Sequence, residues 1–446
     1  MRMTKSGLSV FSLLFLTPAW GQEPRTEIMK WQDGKSACVS LTYDDSTINQ
    51  FRIDVPLLNE RSMPGTFFII TGDIQGSRNQ PAFAGRPIMT IIRESERVPT
   101  TKENALERTS LLNYLQTVQL VPELSDFSAQ RLGRFLQRGD YAELGKVVDA
   151  ALAKLRKSGA SYTVGPRKSA VGDKRYPLTW DEIRRYAAQG HEFGNHSVTH
   201  PFMPALDEAN IVYEIEKSNE DIREQLGVKH TFSVEAPYGI DDPRVRTIVA
   251  ARFPLTRNWV TDDFMDGFLR DDRRDPTTST REYVQWQRGP LSRTTLDAMK
   301  GWVDTSIGHG IWLVLVFHGV EGIGWEPLTT ENMRAYYDYI KAHEGQLWIA
   351  TFQDGAKYAR ERVNSKVSTS RSGDAIAVTV THSLDAHVYD LPLTARTTIP
   401  ADWRLARFRQ GEEVRWLPIY REGGNSFVMY RMMPNGKAVT IEKGAN

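Results

Sequence analysis

Cysteine is all but absent: Cys38 is the only one in 446 residues. No disulfide can form within the chain, so stability has to come from packing and, where the chemistry allows, from a bound metal. Charge of one sign is scarce too. The 56 Lys and Arg nearly balance the 55 Asp and Glu, leaving a formal net charge of +1. Basic and acidic residues are interleaved, with no polybasic run, so the electrostatic footprint of a nucleic-acid or anionic-membrane partner is missing. No apolar run reaches the roughly 20 residues that span a bilayer. Internal repeats and low-complexity tracts are lacking, which excludes solenoids and propellers.

What is present is an ordinary globular composition, in a chain long enough for more than one domain. Residues 1–21 read as a signal peptide. Arg2 and Lys5 precede a short apolar run over 7–16, Ala19-Trp20-Gly21 sets small residues at a cleavage position, and polar Gln22-Glu23-Pro24 follows. The expectation is a secreted or periplasmic protein. Cys38 sits in the apolar run 37–41 and reads as a small buried hydrophobe.

Strand-like and helix-like segments alternate through residues 22–362. Strands are expected at 39–43, 66–70, 192–195, 231–234, 283–287, 312–317 and 347–352, with helices near 49–59 and 206–226. Thr179 and Glu182 form a capping-box pattern ahead of another helix. This predicts an α/β fold, a distorted (β/α) barrel, with an open doubly wound sheet as the alternative. Residues 72–177 interrupt the alternation with a mainly helical insertion, including 101–120 and 141–157. Residues 363–446 change to β-rich segments separated by Gly and Pro turns, predicting a C-terminal all-β, sandwich-like domain. Val414, Trp416, Val428, Tyr430, Val439 and Ile441 alternate there as one buried sheet face would.

Thr42-Tyr43-Asp44-Asp45 closes an apolar strand with two adjacent carboxylates. A solvated turn would explain one acid after a strand, but the C-terminal end of a barrel strand is where catalytic groups gather. Further on, His196 and His200 stand four apart. On a helical turn both rings would face one point, as a shared metal requires. Two His and one carboxylate from Asp45 leave coordination positions open for water and substrate. His191 precedes its strand and reads as structural. Ala236-Pro237-Tyr238 and His318 each follow an apolar strand at the same barrel end.

Together these segments resemble the NodB-homology polysaccharide deacetylases, carbohydrate esterase family four. Thr42-Tyr43-Asp44-Asp45 resembles that family's first motif, and His196-Ser197-Val198-Thr199-His200 its second. Glu235-Ala236-Pro237-Tyr238 resembles the third in part, and Leu313-Val314-Leu315-Val316-Phe317-His318 the last. The resemblance implies Asp44 as general base, His318 as general acid and the Tyr238 backbone N–H as an oxyanion donor. Asp45, His196 and His200 would be the ligands of a divalent metal, zinc being favoured by that donor set. Glu235 stands where the family has the arginine that orients the base; an acid there either raises the pKa of Asp44, where both are charged, or points away while another arginine takes over. Asn258 to Asp263 offers only a distant match to the family's supporting Trp–Asp motif.

The function expected is removal of N-acetyl or O-acetyl groups from a carbohydrate. Alternatives are a catalytically weak carbohydrate-binding protein that kept the metal site, motivated by the missing arginine, and a non-haem iron oxygenase, disfavoured by the βα alternation. Trp259, Trp286 and Trp325 are candidates for stacking on sugar rings, and each fits a core equally well.

Overall fold

The computed structural model describes residues 23–165, 178–239, 242–257 and 285–444. The expected leader, Trp259 and the 258–263 stretch lie outside these residues. Contacts divide the chain into two units. Among the described residues, the larger holds those within Met29–Ser365 and His382–Thr394; the smaller holds those up to Ile28, Lys366–Thr381 and those from Ala395 onward.

β1 (Thr26–Ile28) belongs to the smaller unit. In the larger unit lie β2 (Ala37–Tyr43), β3 (Thr66–Ile69), β4 (Glu192–Asn195), β5 (Ser233–Val234), β6 (Leu255–Thr256), β7 (Gln285–Arg288), β8 (Trp312–Phe317) and β9 (Leu347–Ile349). They form one sheet in the order β6-β5-β4-β3-β2-β8-β7, with β9 beside β2. Every ladder is parallel. Strands buried on both faces carry largely apolar runs, and β2 is accordingly buried along its whole length.

The sheet splays at β2, whose start pairs with β9 and whose end pairs with β3. It then curls until its two edges meet. Gln285 Nε2 on β7 donates to the Thr256 carbonyl on β6 at 3.2 Å. The fold is therefore the distorted barrel, its last seam bridged by a side chain, and not the open doubly wound sheet.

Register decides what gathers at the C-terminal rim. Asn195, Val234 and Thr256 lie side by side, and Tyr43 lies beside Phe317. The next residue outward on each strand is thus His196, Glu235, Arg257, Asp44 and His318. Below them Tyr43 stacks between Phe67 and Phe317, with ring centroids 4.6 and 5.1 Å away. The strand expected over 347–352 stops at Ile349. Thr351 instead caps the helix Phe352–Asn364, its side chain accepting from the Asp354 N–H. The capping box at Thr179 and Glu182 is fully formed.

Helix α1 (Val55–Glu60) follows β2, and the insertion supplies α2 (Ile88–Glu94), α3 (Ala105–Thr117), α4 (Ala129–Arg138) and α5 (Tyr141–Ser158). The insertion has an apolar core of its own, including Ile91, Leu111, Leu115, Leu132, Leu144 and Leu152. It also grips the chain just past His200. Thr109 Oγ1 donates to the Ala205 carbonyl at 2.6 Å, and Ser110 Oγ accepts from the Asp207 N–H at 2.7 Å. Gly133 lies so close to the Phe202 ring that a Cβ there would overlap it. After the insertion come α6 (Trp180–Ala188), α7 (Glu208–Leu226) and α8 (Pro243–Ala250).

The smaller unit contains β10 (Lys366–Ser372), β11 (Ala375–Thr381), β12 (Leu393–Ile399), β13 (Ala406–Gln410), β14 (Glu413–Leu417), β15 (Ile419–Glu422), β16 (Asn425–Met432) and β17 (Val439–Lys443). They make two sheets, β1-β12-β16-β15 and β10-β11-β17-β13-β14. Phe408 from one sheet packs on Tyr430 from the other at 5.6 Å, giving the sandwich its core. The expected buried face holds for Val428, Tyr430, Val439 and Ile441 but not for Val414 and Trp416, which are 47% and 59% exposed. They pair with Arg409 and Arg407 on the outer side of the edge strand β14, whose inner side presents Arg415 over the Phe408 ring. Period-two alternation reveals two faces without saying which is buried. Among the described residues, no helix is long and apolar enough to cross a membrane.

Candidate functional site

Asp44 still belongs to the sheet, its N–H donating to the Phe317 carbonyl at 2.9 Å. Asp45 and Ser46 then turn into left-handed backbone with φ of 72° and 54°. That break sends the two neighbouring carboxylates in different directions. Such a conformation costs a non-glycine residue about 1–3 kcal/mol, and this cost concentrates at functional sites.

Asp45 goes to the two histidines. Its Oδ1 lies 3.1 Å from His200 Nε2 and 3.6 Å from His196 Nε2. The donor atoms of all three lie within 4.8 Å of one another, close enough to share one ion. His196 Nδ1 is 2.7 Å from the Glu235 carbonyl. A carbonyl only accepts, so Nδ1 carries a proton, which leaves Nε2, facing Asp45, as the nitrogen available to an ion. Two imidazole nitrogens and one carboxylate oxygen are a donor set that fits a divalent ion.

The histidines do not converge on a helical turn, as their spacing suggested. Ser197 and His200 have φ of 68° and 58°, which no right-handed helix contains. A loop does the work, and Glu214 on α7 shapes it. Its Oε2 accepts from the Val198 and Thr199 N–H groups at 2.9 and 2.8 Å, and its Oε1 from Thr199 Oγ1 at 2.7 Å. Ser197 Oγ accepts from the His200 N–H at 2.9 Å. Glu214→Ala is expected to leave three donors in this buried loop without their acceptor, costing about 1–3 kcal/mol for each that water does not reach. Divalent-ion affinity should weaken roughly 10–100-fold, the usual effect of losing a group that orients metal ligands. Metal titration of the folded variant checks this, and unchanged affinity would mean that the loop shapes itself.

Asp44 goes the other way. Its Oδ2 is bonded by Arg257 Nη2 and lies 3.4 Å from His318 Nε2. Its Oδ1 is buried with no hydrogen-bond partner among the described residues. Burial pushes its pKa up, but Arg257, then His196 and His318, outweigh this and hold Asp44 below the usual carboxylate range. Arg257 also donates from Nη1 to Thr42 Oγ1 at 2.6 Å, sits over the Phe68 ring at 4.9 Å, and places Nε 3.3 Å from Glu235 Oε2. Glu235 therefore points inward. Burial raises it to about 8, with Arg257 opposing and Asp44 adding to the rise. A Glu235 that is largely protonated at neutral pH does not compete with Asp44 for the guanidinium.

His318 is lowered below the ordinary imidazole value by burial, despite Asp44 and Asp45 nearby. Gln50 Nε2 donates both to the Asp44 carbonyl at 2.6 Å and to the His318 carbonyl at 2.7 Å, stapling the ends of β2 and β8 together. Tyr238, with φ of 64°, packs on His200 at 4.8 Å and on Phe202 at 5.6 Å. His191 is structural, accepting from the Gly65 N–H at 3.0 Å. Trp286 is core, only 4% exposed, whereas Trp325 is 55% exposed.

Arg257, Glu214 and Gln50 escaped sequence reasoning. For Arg257 a signal existed: it ends the short apolar segment Leu255-Thr256, one strand beyond the one that carries Glu235. Glu214 and Gln50 act on backbone groups, which leave no trace in side-chain patterns.

The polysaccharide deacetylase family model matches residues 140–252. That stretch takes in His196, His200 and Tyr238 and begins after Asp44 and Asp45. A gellan lyase of a Bacillus species is 23% identical over 59% of this chain and 11% of its own length. A chitooligosaccharide deacetylase of Sinorhizobium fredii is 35% identical over 18% of this chain and 37% of its own. The chain thus spans well under half the length of these curated relatives. A family 4 carbohydrate esterase from Streptomyces lividans, solved with acetate, is 13% identical over 70% of this chain and 91% of that one, with a TM-score of 0.31. The family read from the motifs and the family found by the match are the same.

Proposed function

We propose that this polysaccharide deacetylase-like chain is a hydrolase that uses a divalent metal ion to remove acetyl groups from a carbohydrate. The observation that carries the reading is the division of labour at the end of β2. Asp45 meets the ring nitrogens of two histidines, while Asp44, one residue earlier, meets Arg257 and His318. A mere binder has no use for the second group.

Asp45, His196 and His200 would hold the ion, which supplies Lewis acidity toward water and the acetyl carbonyl. The rest falls to the chain. Arg257 keeps Asp44 ionised and fixes it through Oδ2, leaving Oδ1 to take the proton of the attacking water. The Tyr238 N–H donates to the oxyanion that develops on the carbonyl. His318, its Nε2 3.4 Å from Asp44 Oδ2 and so held at the same end of the site, hands its own proton to the departing amine or alkoxide as general acid. The weak-binder alternative drew its motive from the missing arginine, and Arg257 removes that motive.

The test is acetate release from a panel of N-acetylated and O-acetylated oligosaccharides, with metal content measured on the same samples. Release from at least one member is expected. A protein that binds a divalent ion and the sugars yet frees no acetate from any of them would support the binder instead.

A further inference from the structure

Past His318 the chain folds into a compact loop held by several backbone hydrogen bonds of its own. The Gly319 N–H donates to the Trp325 carbonyl at 2.8 Å and the Leu328 N–H to the Gly319 carbonyl at 3.1 Å. Val320 and Ile323 exchange bonds of 2.9 and 3.1 Å. Gly319 and Gly324 touch where the strands of the loop cross; a Cβ on Gly319 would come within 2.8 Å of the Ile323 and Trp325 carbonyl oxygens. Asn49 Nδ2 ties the loop to the start of the β2 crossover through the Val320 carbonyl at 3.0 Å.

This wiring fixes one side chain in an unusual place. The Trp325 indole stands at 80° to the His318 ring, 4.7 Å between centroids, and is nevertheless 55% exposed. A large apolar ring held half in water by a rigid loop loses the burial that normally rewards an indole. A ligand that covers its open face restores it. Which ligand follows from the neighbour. His318 is the group that meets the departing amine or alkoxide, so the atoms beside it belong to the leaving group and not to the acetyl.

We infer that Trp325 is the platform on which the sugar ring bearing the acetyl group stacks, making it a specificity-determining residue that selects for a ring-shaped leaving group. The inference rests on the proposed deacetylase reading and goes further, assigning recognition of the sugar to the loop after β8. An indole presents an apolar face, and the axial C–H bonds of a pyranose with equatorial hydroxyls present a matching one. Tyr238, 56% exposed against His200, stands on the metal side of the site.

The experiment compares wild type, Trp325→Ala and Trp325→Phe as metal-loaded full-length protein. Acetate release is measured on an N-acetylated chito-oligosaccharide and on ethyl acetate, whose leaving group has no ring. Calorimetry follows binding of the corresponding deacetylated oligosaccharide. Trp325→Ala should lower kcat/KM on the sugar roughly tenfold, mainly through KM, as loss of one aromatic contact implies. It should leave ethyl acetate hydrolysis unchanged and weaken sugar binding to the same extent, with Trp325→Phe in between. Equal losses on both substrates would overturn the inference, because Trp325 would then act through His318. Undiminished sugar binding in Trp325→Ala would overturn it too. Should wild type free acetate from neither of these nor from any member of the acetylated panel, the deacetylase reading fails, while the binding arm still decides the role of Trp325.

Discussion

Asp44→Asn is expected to cut turnover by about 10²–10⁴-fold, the usual share of a general base, while metal content stays that of wild type. The first half follows from chemistry: an amide at Oδ1 cannot take the proton of water. The second follows from geometry, since Asp44 makes its contacts with Arg257 and His318 and the ion site is built around Asp45. The fold should survive because Glu235 is poised as a substitute counter-charge. Asp44 is one of the influences that raise Glu235, so removing the Asp44 charge lets Glu235 ionise beside Arg257 Nε. Steady-state kinetics and metal analysis on one preparation check both halves. Loss of the ion would make Asp44 a ligand and reverse the roles of the two acids.

Arg257→Ala should be nearly as damaging, by another route. It strands the buried Asp44 carboxylate without its cation and leaves the buried Glu235 carboxyl without its guanidinium neighbour. Breaking a buried ion pair from one side typically costs 3–5 kcal/mol, or about that, so a drop in thermal midpoint is expected together with a roughly 10²-fold or greater fall in turnover. Stability loss alone would not establish a positioning role. The exchange Glu235→Arg with Arg257→Glu is more telling. It moves the guanidinium from the end of β6 to the end of the neighbouring β5, at the same rim level in the register. The double variant should regain at least about one order of magnitude over Arg257→Glu alone. No recovery, in a variant shown to be folded, would mean that the position of the guanidinium matters and not merely its presence beside the base.

Much of this site was legible in the chain because it lies at strand ends. Asp44 and His318 each terminate a run of largely apolar residues and His196 follows a short strand, and in a parallel barrel all such ends meet at one rim. What could not be read was how the groups are held. Spacing put His196 and His200 on one helical face, yet positive φ at Ser197 and His200 and the grip of Glu214 produce the convergence. Glu235 looked like a gap in the base's support until the register set Arg257 beside it. The five-stranded sheet of the smaller unit misled for a related reason. Val414 and Trp416 alternate like core residues, but β14 is an edge strand and they lie on its outward side. Pattern reveals periodicity, whereas pairing decides which side meets the core. The barrel followed from the order of its segments, while the seam between β6 and β7 depends on Gln285, a single polar side chain that no periodicity marks.

The measurement that bears most directly on the account is a metal titration of the chelator-stripped protein, followed at once by metal binding and by acetate release. One divalent ion per chain should bind, with activity returning in proportion to occupancy. Asp45→Ala and His200→Ala, each removing one of the three donors, should bind the ion far more weakly and stay inactive at the same concentration. Full activity in protein verified to be free of metal would contradict the account at its centre.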